Sequence, residues 1–287
     1  MDYTLVTLFL FTKSDIKTTL IPIVIAGMVT APIWSFSHFI HELLWVWLHL
    51  LQFTTSNQSC SLTAVFEDTD NKPDRPIPSG RMTLCQTRIL RWCLVPLCLC
   101  ISHQISMAVL GASLAIVGFT TWYNEFGGSN QHWFIRNILN GLGFGSFNMG
   151  ATLLAGRDRT AFNQIAVRAI LLSIWIYATT THTQDFKDME GDIKFFRSTV
   201  PLVYPRIARP SVLLGMLTWS ALLTYIWDLN IIISCMIFAL AIYVGVRFCI
   251  RDGKVNDQVS FYWYNLWLPL AYALPGWYHA KMHFITA

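Results

Sequence analysis

The chain has 287 residues, 54% of them hydrophobic and only 13% charged, with a formal net charge of +4 and a mean hydropathy of +0.46. Charged residues make up about a quarter of an ordinary soluble domain, so this composition argues against a solvated enzyme and for a polytopic membrane protein. The small positive charge needs no acidic partner, because basic residues flanking membrane helices produce it routinely, and no nucleic-acid motif is present.

In chain order, Lys13, Asp15 and Lys17 precede the first apolar run, and no small-residue cleavage site follows it, so a span is expected there and not a signal peptide. Nine stretches are long and apolar enough for spanning helices of about 20 residues. They cover 18–34, 36–53, 85–101, 105–123, 133–155, 161–180, 211–227, 231–248 and 259–280. The expected fold is therefore all-α: nine transmembrane helices in one domain over residues 1–287. His38 and Glu42 lie one helical turn apart in the second stretch and are read as a local helix-end hydrogen bond. Seven cysteines without zinc-type pairs suggest small helix packers and neither a disulfide framework nor a metal site. The glycine-rich run 141–151, GLGFGSFNMGA, permits close helix approach or leaves cavity volume.

Cytoplasmic loops carry the excess of Lys and Arg. With the N-terminus inside, sixteen of the twenty basic residues fall on the inner side, and the Arg157-Asp158-Arg159 turn is the clear exception. The same orientation puts two acidic islands on one face. They hold Glu67, Asp68, Asp70 and Asp74 after the second stretch, and Asp185, Asp188, Glu190 and Asp192 after the sixth. Half of the sixteen acidic residues are in these two places.

Carboxylates near the amide pair Asn57-Gln58 make an oxygen-rich environment suited to magnesium, which keeps waters and bridges to phosphate oxygens. Beside them, Arg75 and Arg81 suit paired contacts to phosphate and Lys72 acts as a point charge. In the second island, QDFKDMEGDIKFFRSTVP, a continuing helix would stack Asp185, Asp188 and Asp192 on one face, where their repulsion calls for a divalent cation. Lys187, Lys194 and Arg197 again supply phosphate partners. Two metal-and-phosphate constellations joined to an aromatic-rich bundle imply an amphiphilic substrate with a diphosphate head and an apolar tail, such as a prenyl diphosphate. The GxxxxGK[ST] phosphate loop of nucleotide enzymes is absent.

These residues resemble a family, the UbiA superfamily of intramembrane prenyltransferases, over nearly the whole chain. DFKDMEGD looks like its DxxDxxGD motif, and NKPDRPIPSG is similar to the segment after its first motif. The first motif departs from the usual NDxxDxxxD, with Asn57-Gln58 followed downstream by Glu67-Asp68. That arrangement, with LFTKSDIKTT and WLHLLQF, resembles the fungal branch of UbiA-type terpene cyclases, of bergamotene and cyathane type. Phe196 stands where the superfamily often has glycine before the arginine matched by Arg197.

The resemblance implies nine transmembrane helices, a Mg2+ cofactor and metal ligands Asn57, Glu67, Asp68, Asp185, Asp188 and Asp192, with the alignment of Asp70 and Asp74 looser. The expected catalytic residues are Asp68, Asp185 and Asp188, and the diphosphate contacts Lys72, Arg75, Arg81, Lys187 and Arg197. The expected function is a terpene cyclase that ionises farnesyl or geranylgeranyl diphosphate in secondary metabolism, with a prenyltransferase using an acceptor as the alternative. A transporter is the rival from another class, and it would not need both islands on one side. Candidate cavity aromatics are Trp122, Tyr123, Phe144, Trp175, Tyr177, Tyr262, Trp263, Tyr264 and Trp267. The expected surroundings are the bilayer, of the endoplasmic reticulum, with motif loops facing the cytoplasm and no obligatory protein partner.

Overall fold

The computed structural model describes residues 3–31 and 35–286, and every regular element among them is helical. A short helix α1 (Tyr3–Thr12) leads through a π-helical turn (Ile16–Leu20) into α2 (Ile21–Thr30). Then follow α3 (Phe36–Ser59), α4 (Leu62–Asn71), α5 (Leu84–Ile105), α6 (Met107–Asn124), α7 (Trp133–Ala155) and α8 (Gln164–Thr180). Two 3-10 turns (Thr181–Gln184 and Phe186–Asp188) precede the short α9 (Met189–Lys194) and α10 (Val200–Val203). The chain closes with α11 (Pro205–Ile226), α12 (Ile231–Ile250) and α13 (Lys254–Thr286).

Among the described residues five helical segments are long and apolar enough to cross a membrane: α5, α6, α8 with its following turns, α11 and α12. The remaining expected stretches are helical too, but α2 is short, and α3, α7 and α13 are interrupted by buried polar side chains such as Gln52, Asn148 and Asn265. Length and apolarity thus support five of the nine expected spans. The end of the first stretch, residues 32–34, lies outside the described residues.

Several local expectations are corrected. α1 and α4 had no place in the reading of spans, because ten residues are too few to cross a bilayer. The sequence did hold the signal for α4: Ser61 caps it, its Oγ accepting from the Ala64 amide at 3.1 Å. The chain after α8 runs through two 3-10 turns and not as one α-helix, and Asp185, Asp188 and Asp192 each pair with a different cation, Arg136, Lys187 and Arg197. His38 and Glu42 do not bond each other either. His38 Nδ1 lies 3.1 Å from the Ala155 carbonyl, while the Glu42 carboxyl is buried against Gly27.

The glycine-rich run of α7 sets how the bundle closes. A Cβ on Gly141 would stand 2.6 Å from the Ile174 carbonyl, and one on Gly145 would stand 2.2 Å from the Ile174 side chain, so α7 and α8 touch nearly backbone to backbone. Gly150 does the same for α3, receiving the indole of Trp45. This close approach turns the neighbouring face of α7, with Arg136, Asn140, Gly143 and Phe147, towards a cavity between the helices. Filling the contact should separate the helices: Gly141→Val or Gly145→Val is expected to lower the melting temperature of the detergent-purified protein, at a cost of about 1–3 kcal/mol or more. Gly118→Val on α6, where an added Cβ meets nothing within 4 Å, is the control and should melt as the parent does.

Candidate active site

The cavity is assembled from several parts of the chain, and each contributes by its local geometry. In α4, Ala64, Glu67 and Asp68 are three and four residues apart and so share the face that lines the cavity. The turn after α4 adds Lys72 and Arg75, the end of α3 adds Phe53 and Asn57, and the π-helical turn adds Asp15, Thr18 and Thr19. From the far side come Thr120 and Tyr123 of α6, Arg136 and Asn140 of α7, then Gln184, Asp188 and Arg197. The two acidic islands therefore meet across a single cavity.

What joins them is a set of ion pairs at the charged rim. Arg197 reaches Glu67 Oε2 at 2.6 Å and Asp192 Oδ1 at 3.3 Å, tying α9 to α4 across 130 residues of sequence. Arg136 donates to both oxygens of Asp185 at 2.8 Å, in a place where both side chains are nearly excluded from solvent. Arg75 grips both oxygens of Asp68 at 2.7 and 2.8 Å and touches Ser14 Oγ at 3.3 Å, which fixes the N-terminal segment to the rim. Lys187 pairs with Asp188 at 2.6 Å. Asn57 anchors its amide nitrogen on Asn124 Oδ1 at 3.1 Å. Gly191 lets the second motif close on the first: a Cβ there would stand 3.0 Å from Asn71 Nδ2.

The backbone that delivers Arg197 ends α9 in a Schellman motif. The amide of Arg197 donates to the Asp192 carbonyl at 2.9 Å and that of Phe196 to Ile193 at 3.2 Å. The motif needs a left-handed residue at its second-last position, and Phe196 occupies it with φ of 51° and 95% exposure. This is the physical reason a glycine suits that place. Replacement by Gly keeps the Arg197 position and removes the strain.

Two charge imbalances mark what the cavity would accept. Lys72 stands next to Arg75, is desolvated, and lies near Lys187, and these together lower its pKa from the ordinary 10.5 to about 8. Such a site favours an anion. Burial raises the pKa of Glu67, against the pull of Arg197 and with Asp192 and Asp68 adding repulsion, so that side favours a cation. Asp192 Oδ2 is buried with no hydrogen-bond partner.

Among the described residues no three acidic, His or Cys side chains converge on one point to cage a metal, because basic partners hold the carboxylates apart. Magnesium does not require such a cage. It binds through one or two carboxylates and completes its shell with water and substrate phosphates. Glu67, Asp68 and Asp188 on the wall, with the open Asp192 oxygen behind them, fit that requirement.

Not every expected residue reaches the cavity. Arg81 lies away from it, 4.9 Å over the Tyr3 ring and 3.4 Å from Thr7 Oγ1. Asp70 and Asp74 pair outside with Lys194 and Lys13. Asp185, Lys187 and Asp192 sit behind the wall, paired with Arg136, Asp188 and Arg197. Of the aromatic candidates, Tyr123, Phe144 and Tyr177 line the cavity; Trp122, Trp175, Tyr262 and Trp263 are exposed on the outside of the bundle; Tyr264 and Trp267 are packed in its core. The sequence reading missed Asp15, Arg136, Asn140, Phe53, Phe119 and Phe147. Arg136 stands at the head of an apolar stretch, and Asn140, one helical turn away, is the signal that this end of α7 is polar for a reason.

The chain matches the model of the UbiA prenyltransferase family over residues 19–268. It is 33% identical over 273 residues to the fumagillin beta-trans-bergamotene synthase of Aspergillus fumigatus, covering 94% of this chain and 91% of that protein. It is 29% identical to a diterpene cyclase of Hericium erinaceus, covering 93% and 88%. A solved UbiA homolog from Archaeoglobus fulgidus, bound to GPP and Mg2+, superposes with a TM-score of 0.68 at 18% identity over 93% of this chain and 98% of that one.

Two measurements check the site. Arg136→Met leaves Asp185 charged and buried, and should cost about 3–5 kcal/mol of stability, most of it restored by the double variant Arg136→Met/Asp185→Asn. Phe196→Gly should raise the melting temperature, by about 1 kcal/mol in stability, through release of the left-handed strain. The chain belongs to the UbiA prenyltransferase family.

Proposed function

We propose that the protein is a membrane-bound terpene cyclase that ionises farnesyl or geranylgeranyl diphosphate with magnesium and cyclises the resulting cation to a hydrocarbon. One observation carries this reading: a single cavity has a rim of Lys72, Arg75, Arg136 and Arg197 interleaved with Glu67, Asp68 and Asp188, and an interior of Phe53, Ile116, Phe119, Leu139, Phe144, Phe147 and Tyr177. A diphosphate fits the rim and a prenyl chain fits the interior. The two terpene-forming relatives support cyclisation over transfer to an acceptor.

In this reading residues 1–287 act as one membrane domain, in the endoplasmic reticulum with the rim facing the cytoplasm. Asn57, Glu67, Asp68 and Asp188 would hold magnesium, and Asp192 and Asp185 would complete the acidic set from behind the wall. Magnesium, when bound, supplies electrostatic stabilisation of the departing diphosphate. Lys72, Arg75 and Arg197 orient the diphosphate and take up charge as the carbon–oxygen bond breaks, with its electron pair leaving on oxygen. Arg136 adds to that field while Asp185 fixes its position. Lys187 positions Asp188. As the cascade moves positive charge along the chain, the free aromatic faces deeper in the cavity, among Phe144, Phe147 and Tyr177, stabilise it by about 1–2 kcal/mol each when desolvated. A double bond of the same chain attacks the cation, and proton loss ends the cascade. The bundle excludes the water that would otherwise quench it.

Membranes incubated with Mg2+ and a prenyl diphosphate alone should release diphosphate and a cyclic hydrocarbon, seen by gas chromatography; strict dependence on an added acceptor would instead establish a prenyltransferase. Asp188→Ala should abolish turnover while the protein stays in the membrane at parental levels. The pH profile follows from Lys72. Its charged form is disfavoured in the free enzyme, so kcat/KM should be full below about pH 8 and fall above it as the proton is lost. Lys72→Met should have lower kcat/KM and lack that alkaline limb.

A further inference from the structure

The face of α7 that lines the cavity is graduated. Arg136, Asn140, Gly143 and Phe147 follow one another at three- and four-residue steps from the charged rim inward, and all four line the cavity. The next position on the same face is Gly150, and it is not open: a Cβ there would stand 2.0 Å from Cη2 of the Trp45 indole. Trp45 is 2% exposed and is held in place by a hydrogen bond from its Nε1 to Ser102 Oγ at 2.9 Å and by the His49 ring, tilted 30° with its centroid 3.8 Å away. Gly143 is the opposite case, since an added Cβ there meets nothing within 4 Å. Phe144 beside it is fixed by stacking on Tyr177, with ring centroids 3.5 Å apart.

We propose that α7 is a ruler for prenyl chain length, with Phe147 as the floor and Trp45 on Gly150 as the stop, and that its length selects a C15 chain. This rests on the reading of the cavity as a prenyl diphosphate site. An α-helix rises about 1.5 Å per residue, so Gly143 lies about 10 Å below Arg136, Phe147 about 16 Å and Gly150 about 21 Å. Carbon–carbon bonds of about 1.5 Å advance an extended chain by about 5 Å per four-carbon isoprene repeat. Two units then reach Gly143, three reach Phe147, and a fourth needs the space that the Trp45 indole fills. The close packing of α7 on α8 at Gly141 and Gly145 denies the fourth unit a sideways exit between those helices. The depth limits which extended chain can seat, and cyclisation then folds the seated chain back within the same walls.

The test compares C10, C15 and C20 diphosphates with Mg2+ in detergent-purified protein, following diphosphate release, and in parallel compares thermal stabilisation by their non-ionisable thiolodiphosphate analogues. The parent should prefer C15 over C20 by at least about tenfold in kcat/KM. Trp45→Ala should move the C20-to-C15 ratio up by about tenfold or more, and Phe147→Ala should move it in the same direction. Gly143→Leu should move the preference to C10. Because Trp45→Ala removes a large buried ring, Gly143→Leu, which fills open space, keeps the test decisive if that variant does not fold. Turnover with chain-length ratios unmoved by the folded variants overturns the ruler alone. No release and no analogue binding by the parent for any chain overturns the reading of the site, and the ruler with it.

Discussion

Charge placed at the end of an apolar bundle has to be neutralised locally, and the Arg197 side chain does this for both acidic islands at once. Its contacts to Glu67 and Asp192 join segments 130 residues apart and decide that α4, a short helix outside the long apolar segments, lies against α9. Once that clasp is set, the remaining pairs follow. Arg75 closes on Asp68 and draws in the N-terminal turn through Ser14, while Arg136 closes on Asp185 from the opposite wall. Buried pairs of this kind contribute little net stability compared with apolar packing, yet losing one partner is costly. Their value here is arrangement: they hold cations and carboxylates in alternation around one opening.

That arrangement would also let the rim respond to a ligand. The carboxylates are engaged by Arg and Lys, so a divalent cation and an anionic head entering together can exchange partners with pairs already present, without exposing a bare charge. Crowding of Lys72 by Arg75 and Lys187 lowers its affinity for its own proton, and Asp192 Oδ2 is buried without a hydrogen-bond partner. Below the rim the character changes within one turn of α7, from Arg136 to Leu139 and Asn140, and within three turns to the aromatic floor at Phe147. An amphiphile with a small, highly charged head and a long apolar chain matches that gradient.

Much of this was legible in the sequence because charge is scarce in it. Eight carboxylates in two short segments stood out against an apolar background, and the DFKDMEGD motif carried a family resemblance by itself. The glycine run announced close helix packing, which Gly141, Gly145 and Gly150 make, and cavity volume, which Gly143 provides. Arg136 was hidden because one arginine at the head of an apolar helix reads as an interfacial anchor. α4 was hidden by its ten-residue length, and the separate cation partners of Asp185, Asp188 and Asp192 by the switch from α-helix to 3-10 turns, which no residue spacing reports. Aromatic placement was the least legible: nine candidates were named and three line the cavity, since a tryptophan at a helix end serves an interface as readily as a substrate. Phe196 shows the reverse case, where a departure from the family pattern identified a backbone position whose left-handed geometry the structure then explained.

The central claim is that a diphosphate sits between the two islands with its prenyl chain running down α7. The most direct measurement is a structure of the protein with Mg2+ and farnesyl thiolodiphosphate, which binds without ionising. The account predicts the diphosphate between Lys72, Arg75 and Arg197, metal density against Asp188 and the α4 carboxylates, and the chain ending at Phe147. A diphosphate bound elsewhere, or a chain leaving the bundle between α7 and α8, would contradict it.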